Sequence, residues 1–451
     1  MSMCSRVAKY HCPLPEKNRF ERNSCRSSWS VLLFIAAPRR SLTSARLPRR
    51  WYTLIRTSYP LRVRSASRTP GTMNLGREGG ATTRGRDAML KIDADGHVTE
   101  PRSVWTDYVE SDYRDEILQL RTDQHSYEEF WADGRSLGGN PAQACIPGQY
   151  ATPDDELTWD DILPGGYDPD ARVAVLNEEG LDLALMFPSV YLLNGDVQTA
   201  DSAAATCRAY NNWMSDFAGA SERLFGMGIV PMQCPDAAVT EVKRLRGLGL
   251  SGFTIRPERY NGLALYDEHC DPIWAAAQAD GLSVGVHGSF GTRMESFATQ
   301  RYENPFFTHM ICHPFEQMAA VLDFVGGGVL SRFPELRVGF FESGLGWLPY
   351  WLGRLEEHYD VMGHHTPWLT RSPTEIFREQ CFVTMEADEG PALSNICAMG
   401  LTDCVMWGSD YPHFDCTYPG ALAELEETLN AFSADQRTAV LERNPGRFLG
   451  L

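Results

Sequence analysis

The chain has 451 residues, a formal net charge of −18, and 43% hydrophobic and 11% aromatic residues, enough apolar material for one large core. The charge is unevenly placed: residues 1–88 hold 18 of the 41 Lys/Arg and 4 of the 59 Asp/Glu, which leaves 89–451 with 23 basic against 55 acidic side chains, a net charge of −32. So acidic a body repels nucleic acid and anionic membrane surfaces, and the longest apolar run, Val31 to Ala37, is far too short to span a bilayer.

In chain order, residues 1–88 are rich in Arg and Ser, poor in acids and without helix or strand periodicity. That is the composition of a disordered basic leader, read either as a transit peptide or as sequence upstream of a later start at Met73 or Met89. The twelve cysteines form no Cys-x-x-Cys pair, and Cys4, Cys12 and Cys25 fall in the leader. Free thiols in a reducing, cytoplasmic setting are expected, not a disulfide framework. From residue 89 onward, eight apolar runs read as strands: Met89–Asp95, Leu181–Phe187, Leu224–Val230, Gly252–Arg256, Leu282–His287, Leu336–Glu342, Cys381–Met385 and Cys404–Ser409. Helical patterns fall between them over Pro169–Glu179, Thr199–Ala220, Pro235–Leu248, Cys270–Asp280, Glu316–Leu330, Trp347–Tyr359 and Gly390–Met399, with two more at Gly420–Phe432 and Ser433–Leu449. Gly180 and Gly281 punctuate helix-to-strand junctions. Eight strands alternating with helices predict an α/β fold, a parallel (β/α)8 barrel over 89–451 whose reactive groups sit at the C-terminal strand ends. The segment 98–168, with Trp105, Trp131 and Trp159, breaks the alternation and reads as an insertion after the first strand that caps the barrel mouth.

Those strand ends carry polar groups in a consistent position. The first delivers Asp95 and His97, which share one side of an extended strand at i and i+2. The fourth ends at Arg256, the fifth at His287, the sixth at Glu342 and the eighth at Asp410, with His413 just beyond. Singly, each has a bland reading, such as a half-buried His or a helix-capping Asp. Together, polar groups at the same end of apolar strands are costly unless they converge on something, which points to a metal centre.

The chain from about 89 to 451 resembles the amidohydrolase-related (amidohydrolase 2) proteins, a family of metal-dependent barrels that includes decarboxylases. The resemblance rests on Ile92–His97, Val286-His287, Phe341-Glu342-Ser343-Gly344-x-Gly346-Trp347, Gly408-Ser409-Asp410-Tyr411-Pro412 and the closing Asn444-Pro445-x-Arg447-Phe448-x-Gly450-Leu451. It implies that His97, His287 and Asp410 are metal ligands. Two positions depart: Asp95 stands where many members have the first His of a His-x-His pair, and Glu342 stands where decarboxylase members have an acid/base His. A carboxylate-rich set of Asp95, His97, His287 and Asp410 suits one divalent ion, Zn, Mn or Fe.

The first expectation for function is a metal-dependent hydrolase that uses an ion-activated water to cleave a C–N or C–O bond in a small cyclic or aromatic compound. Glu342 would orient or deprotonate that water, or join the ligands, and Asp410 could move a proton to the leaving group. The alternative is a non-oxidative decarboxylase of an aromatic or unsaturated acid, and the third reading is a ligand-binding barrel without turnover. His313, at a helix start, could replace the missing acid/base His or simply pack there. Arg256 could bind a substrate carboxylate or pair with Glu258, and His413 is placed at or behind the substrate. His358, His364 and His365 read as solvated, and the Trp347–Trp351 aromatics as helix packing. The partner expected is a small molecule, with a homodimer as a further expectation from the resemblance.

Overall fold

A computed structural model describes residues 89–122, 128–148, 157–289 and 293–451. The leader, residues 1–88, lies outside the described residues. Eight strands form one sheet: β1 (Ile92–His97), then, after three strands of the insertion, β5 (Leu183–Phe187), β6 (Leu224–Ile229), β7 (Gly252–Ile255), β8 (Ser283–His287), β9 (Val338–Phe341), β10 (Cys381–Met385) and β11 (Val405–Trp407). They pair in parallel in the order β1-β5-β6-β7-β8-β9-β10-β11. All eight match the expected strands, and the helices between them make this a TIM barrel. Near the mouth the ring is closed by two main-chain bonds, from Asp410 N–H to the Asp95 carbonyl and from His97 N–H to the Tyr411 carbonyl, both 2.7 Å. Gly408 permits that approach, because a Cβ there would lie 2.0 Å from the Asp95 Cβ.

Why these segments are strands follows from their burial. Most strand residues are buried, so most of the runs are near-continuously apolar, and β1 with Asp93, Asp95 and His97 is the exception. The barrel interior is filled by Ile92, Leu185, Phe187, Met227, Phe341 and Met406, all 1% exposed or less. Its floor is plugged by Phe448 of the C-terminal helix Asn444–Leu449, which packs on Phe341 and Phe382 with ring centroids at 5.4 and 5.6 Å. Asn444 fastens that helix by donating to the Val405 carbonyl at 2.6 Å and the Thr402 carbonyl at 2.9 Å.

Three differences from the sequence reading have local causes. First, β1 begins three residues later than expected and runs through His97, with a register irregularity between Asp93 and Gly96. Such bulges re-aim side chains near a site. Second, the expected helix Glu316–Leu330 is broken into Pro314–Val321, a π turn Leu322–Gly326 and Val329–Arg332, since the run Gly326-Gly327-Gly328 cannot hold one helix. Third, the 98–168 segment contains a three-stranded antiparallel sheet, β2 (Gln119–Thr122), β3 (Glu128–Ala132) and β4 (Arg135–Gly138), that the alternation did not predict. Its β3–β4 hairpin turns on Asp133-Gly134, both at positive φ (51° and 69°), the Asp-Gly signature of a two-residue hairpin. The nine cysteines among the described residues are free thiols, and none of the described helices is long and apolar enough to cross a membrane.

Candidate metal centre and substrate cavity

Asp95 and His97 lie at the end of β1, His287 at the end of β8, Glu342 immediately after β9 and Asp410 three residues after β11. All five converge. His97 Nε2 lies 3.7 Å from Asp95 Oδ1 and 3.3 Å from Asp410 Oδ1. His287 Nε2 lies 3.5 Å from Asp95 Oδ1 and 3.5 Å from Glu342 Oε2. The backbone is strained to aim two of these groups, because Glu342 and Asp410 adopt φ of 50° and 56°, a region that non-glycine residues rarely enter.

The orientation of each ring is set from behind. His97 Nδ1 bonds the Pro188 carbonyl at 3.0 Å, and His287 Nδ1 bonds the Gly288 carbonyl at 2.7 Å. A carbonyl only accepts, so both Nδ1 atoms carry the proton and both Nε2 atoms present a lone pair to the centre. Asp95 is held the same way: its Oδ2 accepts from the Glu342 N–H and the Thr384 hydroxyl, both at 3.2 Å. What remains at the focus is Asp95 Oδ1, His97 Nε2 and His287 Nε2, all buried and without a hydrogen-bond partner. Buried orphans of this kind are rare and ask for a ligand. These three lie within 4.8 Å of one another, as do ligand atoms of His97, Glu342, Asp410 and His413.

The electrostatics favour a cation at this point. Burial, then the neighbouring carboxylates Asp410, Asp415 and Asp95, push Glu342 well above the usual carboxylate range. Asp410 is pushed up by burial and by Asp415 and Asp95. Burial, with the charges of His413 and His287, holds His97 well below its ordinary value, so its ring is neutral and able to ligate. Two imidazoles and two carboxylates form a mixed nitrogen–oxygen set that fits a Zn, Mn or Fe ion.

Over the cluster lies a cavity of about 500 Å³. Glu342, His313 and His413 line it, facing Phe130, Leu137 and Pro141 of the 98–168 segment. His313 precedes the helix Pro314–Val321, with Nε2 3.4 Å from Glu342 Oε1. His413 Nδ1 lies 2.7 Å from Asp410 Oδ1, an oxygen without a hydrogen-bond partner, while its Nε2 bonds the Ser189 hydroxyl at 2.9 Å, and its ring lies 4.0 Å from that of His97. Arg256 does not join them. Its guanidinium is 1% exposed and donates to both oxygens of Glu258, at 3.0 and 2.5 Å, so the ion-pair reading describes it and the substrate-carboxylate reading does not. The arginine that does line the cavity is Arg293. Sequence reasoning also passed over Ser189 and Thr384. Ser189 follows the second barrel strand, whose end was not weighed, and Thr384 is a polar residue inside an otherwise apolar strand, the signal that marks it.

Comparison with known proteins shows the family and the fold. The amidohydrolase family model Amidohydro_2 matches residues 92–451. The chain is 26% identical over 314 residues to a 2-amino-3-carboxymuconate-6-semialdehyde decarboxylase of Dictyostelium discoideum, covering 69% of this chain and 82% of that one. It is 24% identical over 267 residues to a gamma-resorcylate decarboxylase of a Polaromonas strain, covering 54% and 76%. Among solved structures, an amidohydrolase from Mycobacterium avium subsp. paratuberculosis shares the fold with a TM-score of 0.68 at 21% identity, covering 80% of this chain and 99% of that one. A 5-carboxyvanillate decarboxylase from Novosphingobium aromaticivorans, solved with manganese and a nitrobenzoic acid ligand, shares it with a TM-score of 0.58 at 19% identity, covering 82% and 98%. Matched by that family model from residue 92 to residue 451, the chain belongs to the amidohydrolase family.

Proposed function

We propose that the protein is a metal-dependent, non-oxidative decarboxylase of a small aromatic or unsaturated carboxylic acid. Hydrolysis, the first expectation from the sequence, gives way because both curated relatives are decarboxylases. The observation that carries the reading is the Glu342–His313 pair at the wall between the cluster and the cavity. Glu342 Oε1 and His313 Nε2 stand 3.4 Å apart without a hydrogen bond between them, close enough that a small side-chain rotation lets them share and hand over one proton. When bound by Asp95, His97, His287 and Asp410, a divalent ion supplies positive charge that draws in the substrate carboxylate and an adjacent oxygen.

The chain's own residues then do the rest. Apolar walls, including Phe130, Leu137, Val190 and Phe414, take a flat carbon frame and exclude water. The segment 98–168 thereby acts as the roof of the substrate site. The Glu342–His313 pair delivers its proton to the carbon that bears the carboxylate. That carbon's bond to the carboxylate breaks, its electron pair returns to the π system, and CO₂ leaves. The pair regains a proton from solvent, so the balance is acid anion plus proton giving the decarboxylated product plus CO₂. His413, bonded to Ser189 and 2.7 Å from Asp410 Oδ1, limits how far the Asp410 carboxylate can turn away from the cluster.

The test is CO₂ release by manganese-loaded protein from a panel of aromatic and unsaturated acids, run beside lactones and amides. We expect CO₂ from an acid, and a fall of roughly 10²- to 10⁴-fold in kcat for Glu342→Gln with the ion retained. Turnover of a lactone or amide with no CO₂ from any acid would restore the hydrolytic reading.

A further inference from the structure

Beside the substrate cavity lies a second recess of about 190 Å³, and Arg293 lines both. Its wall takes Arg135 from β4, Arg259 from the loop after β7 and Arg293 from the loop after β8. Against these three positive side chains the lining has two negative ones, Asp196 and Glu295, an excess of positive charge inside a strongly acidic body. Among the described residues none of the three guanidinium groups is in an ion pair, and the hydrogen bonds of Arg135 and Arg293 go to main-chain oxygens. Arg135 Nη2 donates to the Asp196 carbonyl at 2.8 Å, and Arg293 Nε and Nη2 donate to the Leu137 carbonyl at 3.1 and 2.6 Å.

The nearby acids have donors of their own. Asp196 Oδ1 accepts from the Arg293 main-chain N–H at 2.7 Å, and Glu295 Oε1 from Gln300 Nε2 at 2.6 Å. Asp323, close enough to Arg259 to feel its charge, accepts from the Leu265 N–H at 3.0 Å. Arg135 Nε is buried and has no partner, a donor whose desolvation is uncompensated unless an acceptor enters. The recess is also tightly built: a Cβ on Gly195 would lie 2.3 Å from Met294 Sδ.

We propose that this recess is an anion subsite that takes a carboxylate or phosphate group, with Arg135, Arg259 and Arg293 as its donors. Planar guanidinium groups match two-oxygen anions and stay charged at every physiological pH. Through Arg293 the anion lies against the substrate cavity. It is therefore either the second acidic arm of a substrate or a separate small anion bound beside one. The subsite stands apart from the decarboxylase reading, because binding is read without turnover.

The experiment titrates succinate, phosphate and propionate into the full-length protein by calorimetry. The variants are Arg259→Gln, whose residue is exposed so that the fold is spared, and Arg135→Gln, with near-ultraviolet circular dichroism as the check on folding. Succinate and phosphate should bind more tightly than propionate, and each variant should weaken them about 10- to 100-fold, the fold-change of one lost charge-assisted hydrogen bond. Equal affinity in the wild type and folded Arg259→Gln, or no binding to the wild type, would overturn the proposal. With an acid that the protein turns over, succinate raising KM alone identifies the substrate's own arm, whereas succinate changing kcat identifies a separate anion.

Discussion

At the floor of the barrel, Phe448 packs on Phe341 and Phe382, and Asn444 satisfies the Val405 and Thr402 carbonyls. At the mouth, only a few residues along the same strands, Asp95 Oδ1, His97 Nε2 and His287 Nε2 are buried with nothing to bond. The floor is packed shut and leaves one orphan, the Asn444 amide oxygen; the mouth gathers several orphans at one point and opens on a cavity. Its two positive-φ carboxylates add backbone strain of about 1–3 kcal/mol each. The contrast indicates that the floor holds the fold together by apolar burial and main-chain bonding, while the mouth spends part of that stability on aiming polar atoms at one point. A bound cation would relieve both the like-charge repulsion and the orphaned atoms, so stability and activity should meet at the mouth.

Three substitutions test that division, from the largest effect to the smallest. His287→Ala removes a lone pair from the focus. We expect the ion to be lost and activity to fall by more than the roughly 10- to 100-fold typical of residues behind the ligands. The thermal stabilisation gained on adding manganese should vanish with it. Elemental analysis and melting with and without the ion check this, and a variant that keeps one ion per chain would break the assignment of the mouth. Phe382→Ala strikes the floor instead. Its loss should cost about 3–5 kcal/mol in denaturant unfolding, with ion content unchanged under native conditions. Were the ion lost as well, floor and mouth would be one cooperative unit and the contrast would fail. Thr384→Val is the mildest, since it keeps the shape and removes the hydroxyl that holds Asp95 Oδ2. Ion affinity should drop about 10- to 100-fold with little change in unfolding midpoint; an unchanged affinity would show that the Glu342 N–H alone orients Asp95.

Much of this architecture was legible because a parallel barrel buries both faces of its strands. Continuous apolar runs such as Leu183–Phe187, alternating with helical segments, announce themselves without knowledge of their partners. The small sheet of the insertion was harder, since its strands are only partly buried; only Asp133-Gly134 advertised a hairpin. The two arginines of the mouth mark the limit. Arg256 ends a strand and looks like a substrate clamp, yet Glu258 takes both of its forks. Arg293 follows a strand by six residues and has no motif, yet it lines both cavities.

By itself, then, the sequence determined the strand count, the parallel barrel and the five polar groups at the strand ends, because periodicity and position along a strand are local properties. Only the tertiary structure decided which atoms of those groups face one another, that Pro188 and Gly288 carbonyls set the imidazole tautomers, and which arginine is spent on a salt bridge. Those outcomes depend on pairs far apart in the chain, such as Asp95 with Thr384 and Asp410, whose distances come into being only when the ring of strands closes.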